Sequence, residues 1–300
     1  MRSREVVFDV TAATGLDEPA KVAGTVHLPD ALEPRGSLDL LLCLHGGGYR
    51  RAYWDPPFGG GEFSFARYFT SRGKAVLALD QLGMGDSSKP EPESKLSRAK
   101  VAVANAESLA QAVRALTDGT WARAGEISVT GVGHSIGGMM IITQAAAHRG
   151  MDRVAVLGWA NQPMVLGDTD TATLSNTLLP FGYIPAPRKM LRTLFYLPDV
   201  PLAVVEADEA LATETPSCLG RDALTPGIVH AAAAQIEVPV LLVHGVIDTS
   251  PDPWGEISFF KGSRDVTLSV LEGSAHNHNF ATTRRQHWVR LDRWIDSLPA

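Results

Sequence analysis

Residues 126–150 read EISVTGVGHSIGGMMIITQAAAHRG. A β-branched run leads into Gly133-His134-Ser135-Ile136-Gly137, and an Ala-rich apolar stretch follows. The spacing is G-x-S-x-G in the order strand, tight turn, helix, the context in which that pattern carries chemistry. A turn this sharp forces Ser135 into a strained backbone conformation, so its neighbours must be small for strand and helix to approach. The hydroxyl then stands at a helix N-terminus, where free N–H groups and the helix dipole favour developing negative charge. The alternative is a Gly-rich strand-to-helix turn that only packs closely.

Outward from this stretch, short apolar runs alternate with helical patterns, the rhythm of strands joined by crossover helices. Glu5–Val10 and Val22–Leu28 alternate as an antiparallel pair should. Leu38–Leu44, Ala75–Leu79, Ile127–Thr130, Val154–Leu157, Val240–Val243 and Val266–Leu271 are almost wholly apolar, as strands buried on both faces of a parallel sheet are. Phe63–Ser71, Ser97–Thr117, Ile136–His148 and Thr282–Leu298 read as helices. The predicted fold class is therefore α/β, a mostly parallel central sheet flanked by helices. Between Asn161 and Gln235 the alternation stops and eight prolines appear, yet apolar residues such as Leu178, Leu194 and Val205 persist. A linker would be more polar. The expectation is one core domain, residues 1–160 and 236–300, interrupted by a mainly helical cap at 161–235 that roofs one end of the sheet. An irregular excursion with no part in a site is the alternative.

Composition limits the partners. With 45% hydrophobic residues and 20% charged ones, the 300-residue chain is globular and not disordered. Its 27 Lys and Arg against 33 Asp and Glu give a net charge of −6, which argues against nucleic acid or an anionic membrane as the main partner. Two cysteines make neither a disulfide framework nor a zinc site. No run approaches the roughly 18 apolar residues of a membrane span, and Glu5 and Asp9 break up any signal-like N-terminal segment. A soluble, cytoplasmic protein is expected, with a homodimer left open.

The elbow and its surroundings resemble the α/β-hydrolase superfamily, and the resemblance covers nearly the whole chain. It implies a catalytic order of Ser, acid, His. Ser135 needs a base, because an alcohol is a poor nucleophile near neutral pH. The resemblance places that base in the loop after the last strand, which points to His276, with His278 two residues on as the rival. The base needs an acceptor to hold its tautomer. Asp248, in the loop after the buried run Val240–Val243, resembles the family's acid, and Asp252 is the rival. The buried strand Leu38–Leu44 opens into His45-Gly46-Gly47-Gly48. Glycines there let backbone N–H groups turn toward an oxyanion, and the family pattern implies one donor at Ile136 and another among Gly46, Gly47 and Gly48, with Gly47 favoured and Gly48 next. His45 reads as structural rather than as a second base.

For substrate contacts the candidates are Tyr49, His134, Trp159, Gln162, Phe181 and Tyr183, with Arg50 and Arg51 able to meet a carboxylate or to sit as surface charges. The cap's aromatic and Met residues suit an apolar substrate or form a small core of their own. Gly83-Met84-Gly85-Asp86-Ser87-Ser88 lacks the G-K-[ST] ending of a phosphate loop and reads as a structural turn. No metal-ligand spacing is present and no cofactor is expected. The resemblance thus implies a serine hydrolase that cleaves a carboxylic ester or lactone of an apolar small molecule through an acyl-enzyme. The rivals are a C–C bond hydrolase, a cofactor-free perhydrolase and a receptor without turnover.

Overall fold

The structure, a computed structural model, describes residues 1–33, 35–169 and 182–298. Eight strands form one sheet: β1 (Arg2–Asp9), β2 (Lys21–Leu28), β3 (Leu38–Leu44), β4 (Ala75–Leu79), β5 (Ile127–His134), β6 (Arg153–Leu157), β9 (Val240–Ile247) and β10 (Val266–Ala275), in the order β1-β2-β4-β3-β5-β6-β9-β10. A separate two-stranded antiparallel ribbon pairs β7 (Tyr183–Pro185) with β8 (Glu214–Pro216). In the large sheet only β2 runs antiparallel to its neighbours. The edge strand β1 is mostly exposed and carries Arg2, Arg4 and Glu5, charges that discourage pairing with another sheet.

The two faces of the sheet can be read residue by residue. Leu40, Leu42 and Leu44 of β3 pack into one core with Val154, Val156, Val240 and Leu242, under the helices Arg98–Thr117 and Ile136–Ala147. Leu41 and Cys43 pack into the other with Ala155, Leu157, Leu241 and Val243, under Phe65–Thr70 and Arg284–Ser297. This is the period-two alternation of a strand, with both sides apolar because helices cover both. β5 runs further than its apolar stretch predicts, because Gly131 and Gly133 keep the backbone ladder to β3 and β6 without contributing side chains.

The segment 182–235 contains short helices, among them Arg192–Phe195, Leu202–Glu209 and Ser217–Ala223, together with the ribbon, which was not expected. It does not build a core of its own. Leu219, Val229 and Ala233 join the first core, and Leu194, Phe195, Val200 and Val205 join the second. It also grips two loops at the carboxyl end of the sheet. Thr213 N–H donates to Gly48 O at 3.0 Å, and the N–H groups of His276 and Asn277 donate to Leu194 O and Phe195 O, each at 3.1 Å.

Strand β3 lies between β4 and β5, so the chain leaves its carboxyl end at a point where the sheet order reverses. Open α/β sheets form their sites at such a point. The closest approach there is between Gly137 and the end of β3, where a methyl group on Gly137 would overlap the carbonyl of Leu44 and lie 2.8 Å from that of His45. Neither backbone group can move without disturbing the sheet. Gly137→Ala is expected to lower unfolding free energy by at least about 2 kcal/mol, as overpacked interiors do. A denaturant midpoint equal to wild type would contradict this tight packing.

Candidate active site

Ser135 follows β5 directly, with φ 56° and ψ −122°. A non-glycine residue in this region costs about 1–3 kcal/mol and persists only where its surroundings impose it. Its N–H donates to Leu157 O at 2.8 Å, and its carbonyl accepts from Gly138 N–H at 2.7 Å. Strand β6 and the following helix thus fix the backbone from both sides. Ser135 lies on the wall of a cavity of about 110 Å³ at the carboxyl end of the sheet.

Asp248 and His276 meet through the parallel register of the last two strands. Ala275 pairs with Ile247, so the residues that follow each stand side by side. Asp248 Oδ1 is 2.6 Å from His276 Nδ1, and Asp248 Oδ2 is 3.0 Å from His278 Nε2. A carboxylate only accepts, so both nitrogens carry hydrogen, and in neutral His276 the lone pair is on Nε2. The N–H groups of Gly245 and Thr249 donate to the remaining carboxylate sites, both at 2.7 Å. Burial alone would raise the Asp248 carboxyl. The charges and hydrogen bonds of His276 and His278 outweigh it and hold the group well below the usual carboxylate range. The structure therefore separates the two histidines named in the sequence: His276 lines the cavity with Ser135, whereas His278 is buried behind Asp248. Asp252 is turned away, its Oδ1 accepting from Trp254 N–H.

The glycine loop after β3 brings Gly47 and Gly48 to the cavity, opposite Ile136. The N–H of Gly48 is already engaged, donating to Thr215 Oγ1 at 2.6 Å. Gly48, the second choice after Gly47 as an oxyanion donor, thus anchors the loop to the ribbon through that N–H. His45 is buried, with Nδ1 2.9 Å from Gly46 O, and burial pushes its imidazole below the ordinary value.

Of the residues named for substrate contact, Trp159 lines the cavity. Four others do not, and each is held elsewhere. Tyr49 donates its hydroxyl to Asp208 at 2.7 Å. His134 lies beneath the cavity, its Nε2 2.8 Å from His276 O and its ring stacked on Tyr53. Gln162 is bound through Nε2 to Asp252 O at 2.7 Å, and Tyr183 donates to Pro90 O at 2.8 Å. Phe181 lies outside the described residues. Arg51 is taken up by Glu5, Asp80 and Asp86, which also explains the Gly83–Ser88 turn: Asp80 accepts from Asp86 N–H at 2.8 Å and ties that turn to Arg51. Sequence reasoning missed Thr215, Thr249 and Arg188, all on the cavity wall. Two of these come from the prolines-and-clusters segment, where no periodicity marks a direction.

Met164, Leu166, Leu191, Leu194 and Phe195 make the rest of the wall mostly apolar. Among the described residues no cluster of His, Cys, Asp and Glu has the arrangement of a metal site, and no helix is long and apolar enough to cross a membrane.

The family model described as "Alpha/beta hydrolase family" matches residues 41–289, and the chain belongs to that family. No curated protein matches it in sequence. Among solved structures it is similar to a thermophilic esterase from Thermogutta terrifontis, with 14% identity and TM-score 0.69 over 98% of each chain. It is also similar to a highly thermostable carboxyl esterase from Bacillus coagulans, with 16% identity and TM-score 0.67 over 99% of each chain. A bromoperoxidase from Bacillus anthracis has 14% identity and TM-score 0.65, covering 97% of this chain and 99% of that one. At such identities these likenesses establish the shared fold.

Burial pushes the imidazoles of His134 and His287 well below their ordinary value, and the neighbouring charge of His278 adds to the effect. Both stay neutral in the folded chain. Below about pH 6.5 the unfolded chain takes up protons that the folded one refuses. Stability is therefore full above that pH and falls as pH drops toward the folded pKa values, by up to about 1.4 kcal/mol per pH unit for each such histidine. Melting temperature is expected to fall between pH 7 and pH 5, and His287→Phe to shrink that fall. A flat profile in wild type would contradict the assignment.

Proposed function

We propose that this chain is a serine hydrolase that cleaves a carboxylic ester or lactone of a small, mainly apolar molecule. Residues 1–160 and 236–300 serve as the catalytic core and 161–235 as its cap. One observation carries the reading. Asp248 Oδ1 lies 2.6 Å from His276 Nδ1, and that histidine shares the wall of one apolar cavity with the strained Ser135.

In this reading Ser135 Oγ attacks the carbonyl carbon while its proton passes to His276 Nε2. The N–H groups of Gly47 and Ile136 hold the oxyanion. Asp248 stabilises the imidazolium and fixes its orientation, without itself taking the proton. The tetrahedral intermediate collapses, the C–O bond to the alcohol breaks, and the alcohol leaves with the proton from His276. Water then gives a proton to His276 and attacks the acyl carbon. The second collapse releases the acid and returns that proton to Ser135. With a lactone, acid and alcohol leave as one ring-opened molecule. These steps use side chains, backbone donors and water alone. His278 is a positioning residue here, holding the second oxygen of Asp248.

Ser135→Ala and His276→Ala are each expected to lower kcat/KM by about 10⁴-fold or more on p-nitrophenyl esters of short acids or on small lactones. His278→Ala should cost less and act mainly on kcat. Full activity in His276→Ala alongside loss in His278→Ala would reassign the base. Turnover unaffected by Ser135→Ala would overturn the reading.

A further inference from the structure

Among the described residues the cavity wall carries one permanent cation, and it is incompletely bonded. Arg188 is 5% exposed and lies on the same wall as Ser135 and His276. Its Nη2 donates to Asp208 Oδ2 at 2.6 Å, while its Nε and Nη1 have no partner among the described residues. A buried donor left unmade costs about 1–3 kcal/mol, and more on a charged group. Such a group is retained where something supplies the acceptor.

Asp208 meets Arg188 through one oxygen only, and its Oδ1 also has no partner among the described residues. Its Oδ2 already accepts from the hydroxyls of Tyr49 and Tyr196, and Asn277 Nδ2 approaches at 3.5 Å. Neutral donors crowd Oδ2, so the ion pair stays single-stranded and Arg188 keeps hydrogen-bonding capacity. Its orientation is fixed as well. The guanidinium carbon stacks 3.7 Å from the centre of the Tyr49 ring and 5.2 Å from that of Phe195. Around it the wall is apolar, with Ile184, Leu191 and Leu194, and the unpaired Nε and Nη1 are themselves buried. A planar, permanently charged donor in an apolar pocket selects a carboxylate over a neutral oxygen, because charge-assisted bonds are roughly twice as strong.

We propose that Arg188 anchors a second, carboxylate group on the substrate, so that the molecules hydrolysed are esters bearing a free acid at the end covered by the 182–235 segment. This deepens the hydrolase reading and rests on it. It also gives the Tyr49–Tyr196–Asp208–Asn277 cluster a purpose, which is to hold a guanidinium in place without using all of it. Asn277 follows His276 directly, so the cluster that positions Arg188 is tied to the loop carrying the proposed base.

The experiment compares matched ester pairs that differ only in a terminal carboxylate against a terminal methyl. One pair carries the difference on the acid part and the other on the alcohol part. The wild-type protein is expected to favour the carboxylate member of at least one pair by about 10²-fold in kcat/KM. Arg188→Met alone would leave Asp208 buried without its counter-ion, so the double variant Arg188→Met with Asp208→Asn keeps the pocket neutral. In it the preference ratio should collapse by about 10²-fold, and Arg188→Lys should restore only part of it. Equal rates within both pairs in wild type, or a preference that survives the double variant, overturns the assignment of Arg188 alone. Failure to cleave any ester, neutral or acidic, overturns the hydrolase reading and this inference with it.

Discussion

The arrangement at the carboxyl end of the sheet depends on burying one carboxylate. Asp248 is 5% exposed and has no Lys or Arg beside it among the described residues, so its charge is balanced by hydrogen bonds from two histidines and two backbone N–H groups. An unsatisfied charge in such a place would cost several kcal/mol. The requirement fixes the shape of two loops. The turn after β9 must present Gly245 and Thr249 to the carboxylate, and the turn after β10 must aim residues 276 and 278 at its two oxygens. Parallel pairing of Ala275 with Ile247 makes this geometry a consequence of sheet register. Once Asp248 is satisfied, His276 has a defined tautomer and a free Nε2, the state a general base needs.

The same economy applies across the site. The strained backbone of Ser135 is held by the carbonyl of Leu157 and by the first turn of its own helix, while Gly137 lets that helix touch the end of β3. The segment 182–235 then locks the loops that remain. Through Thr213 and Thr215 it holds Gly48, and through Leu194 and Phe195 it holds the backbone at His276 and Asn277. Because its apolar residues are continuous with the cores on both sides of the sheet, motion of this segment would be felt at the glycine loop and the histidine loop together.

Strands and long helices were legible because burial on two faces leaves uninterrupted apolar runs, as in Leu38–Leu44, and because the helix Arg98–Thr117 repeats its apolar residues at helical spacing. Ser135 stood out from its G-x-S-x-G turn, whereas His276 and Asp248 were reached through the family resemblance, each with a rival, His278 and Asp252, in the same loop. Side-chain direction was not legible. His134, Gln162 and Tyr183 sit next to cavity residues in sequence, yet a turn or a competing hydrogen bond points each elsewhere. Arg188 gave no signal at all, since its surroundings Ala186-Pro187-Arg188-Lys189 look like an exposed loop. Only folding shows that it is buried against Tyr49 and Asp208.

The central claim is that Ser135 acts as a nucleophile activated by His276. The most direct measurement is to incubate the folded protein with a fluorophosphonate and map any covalent adduct by peptide mass spectrometry. One adduct per chain is expected on Ser135, formed far more slowly in His276→Ala under the same conditions. An unmodified Ser135, or an adduct on another side chain, would contradict it.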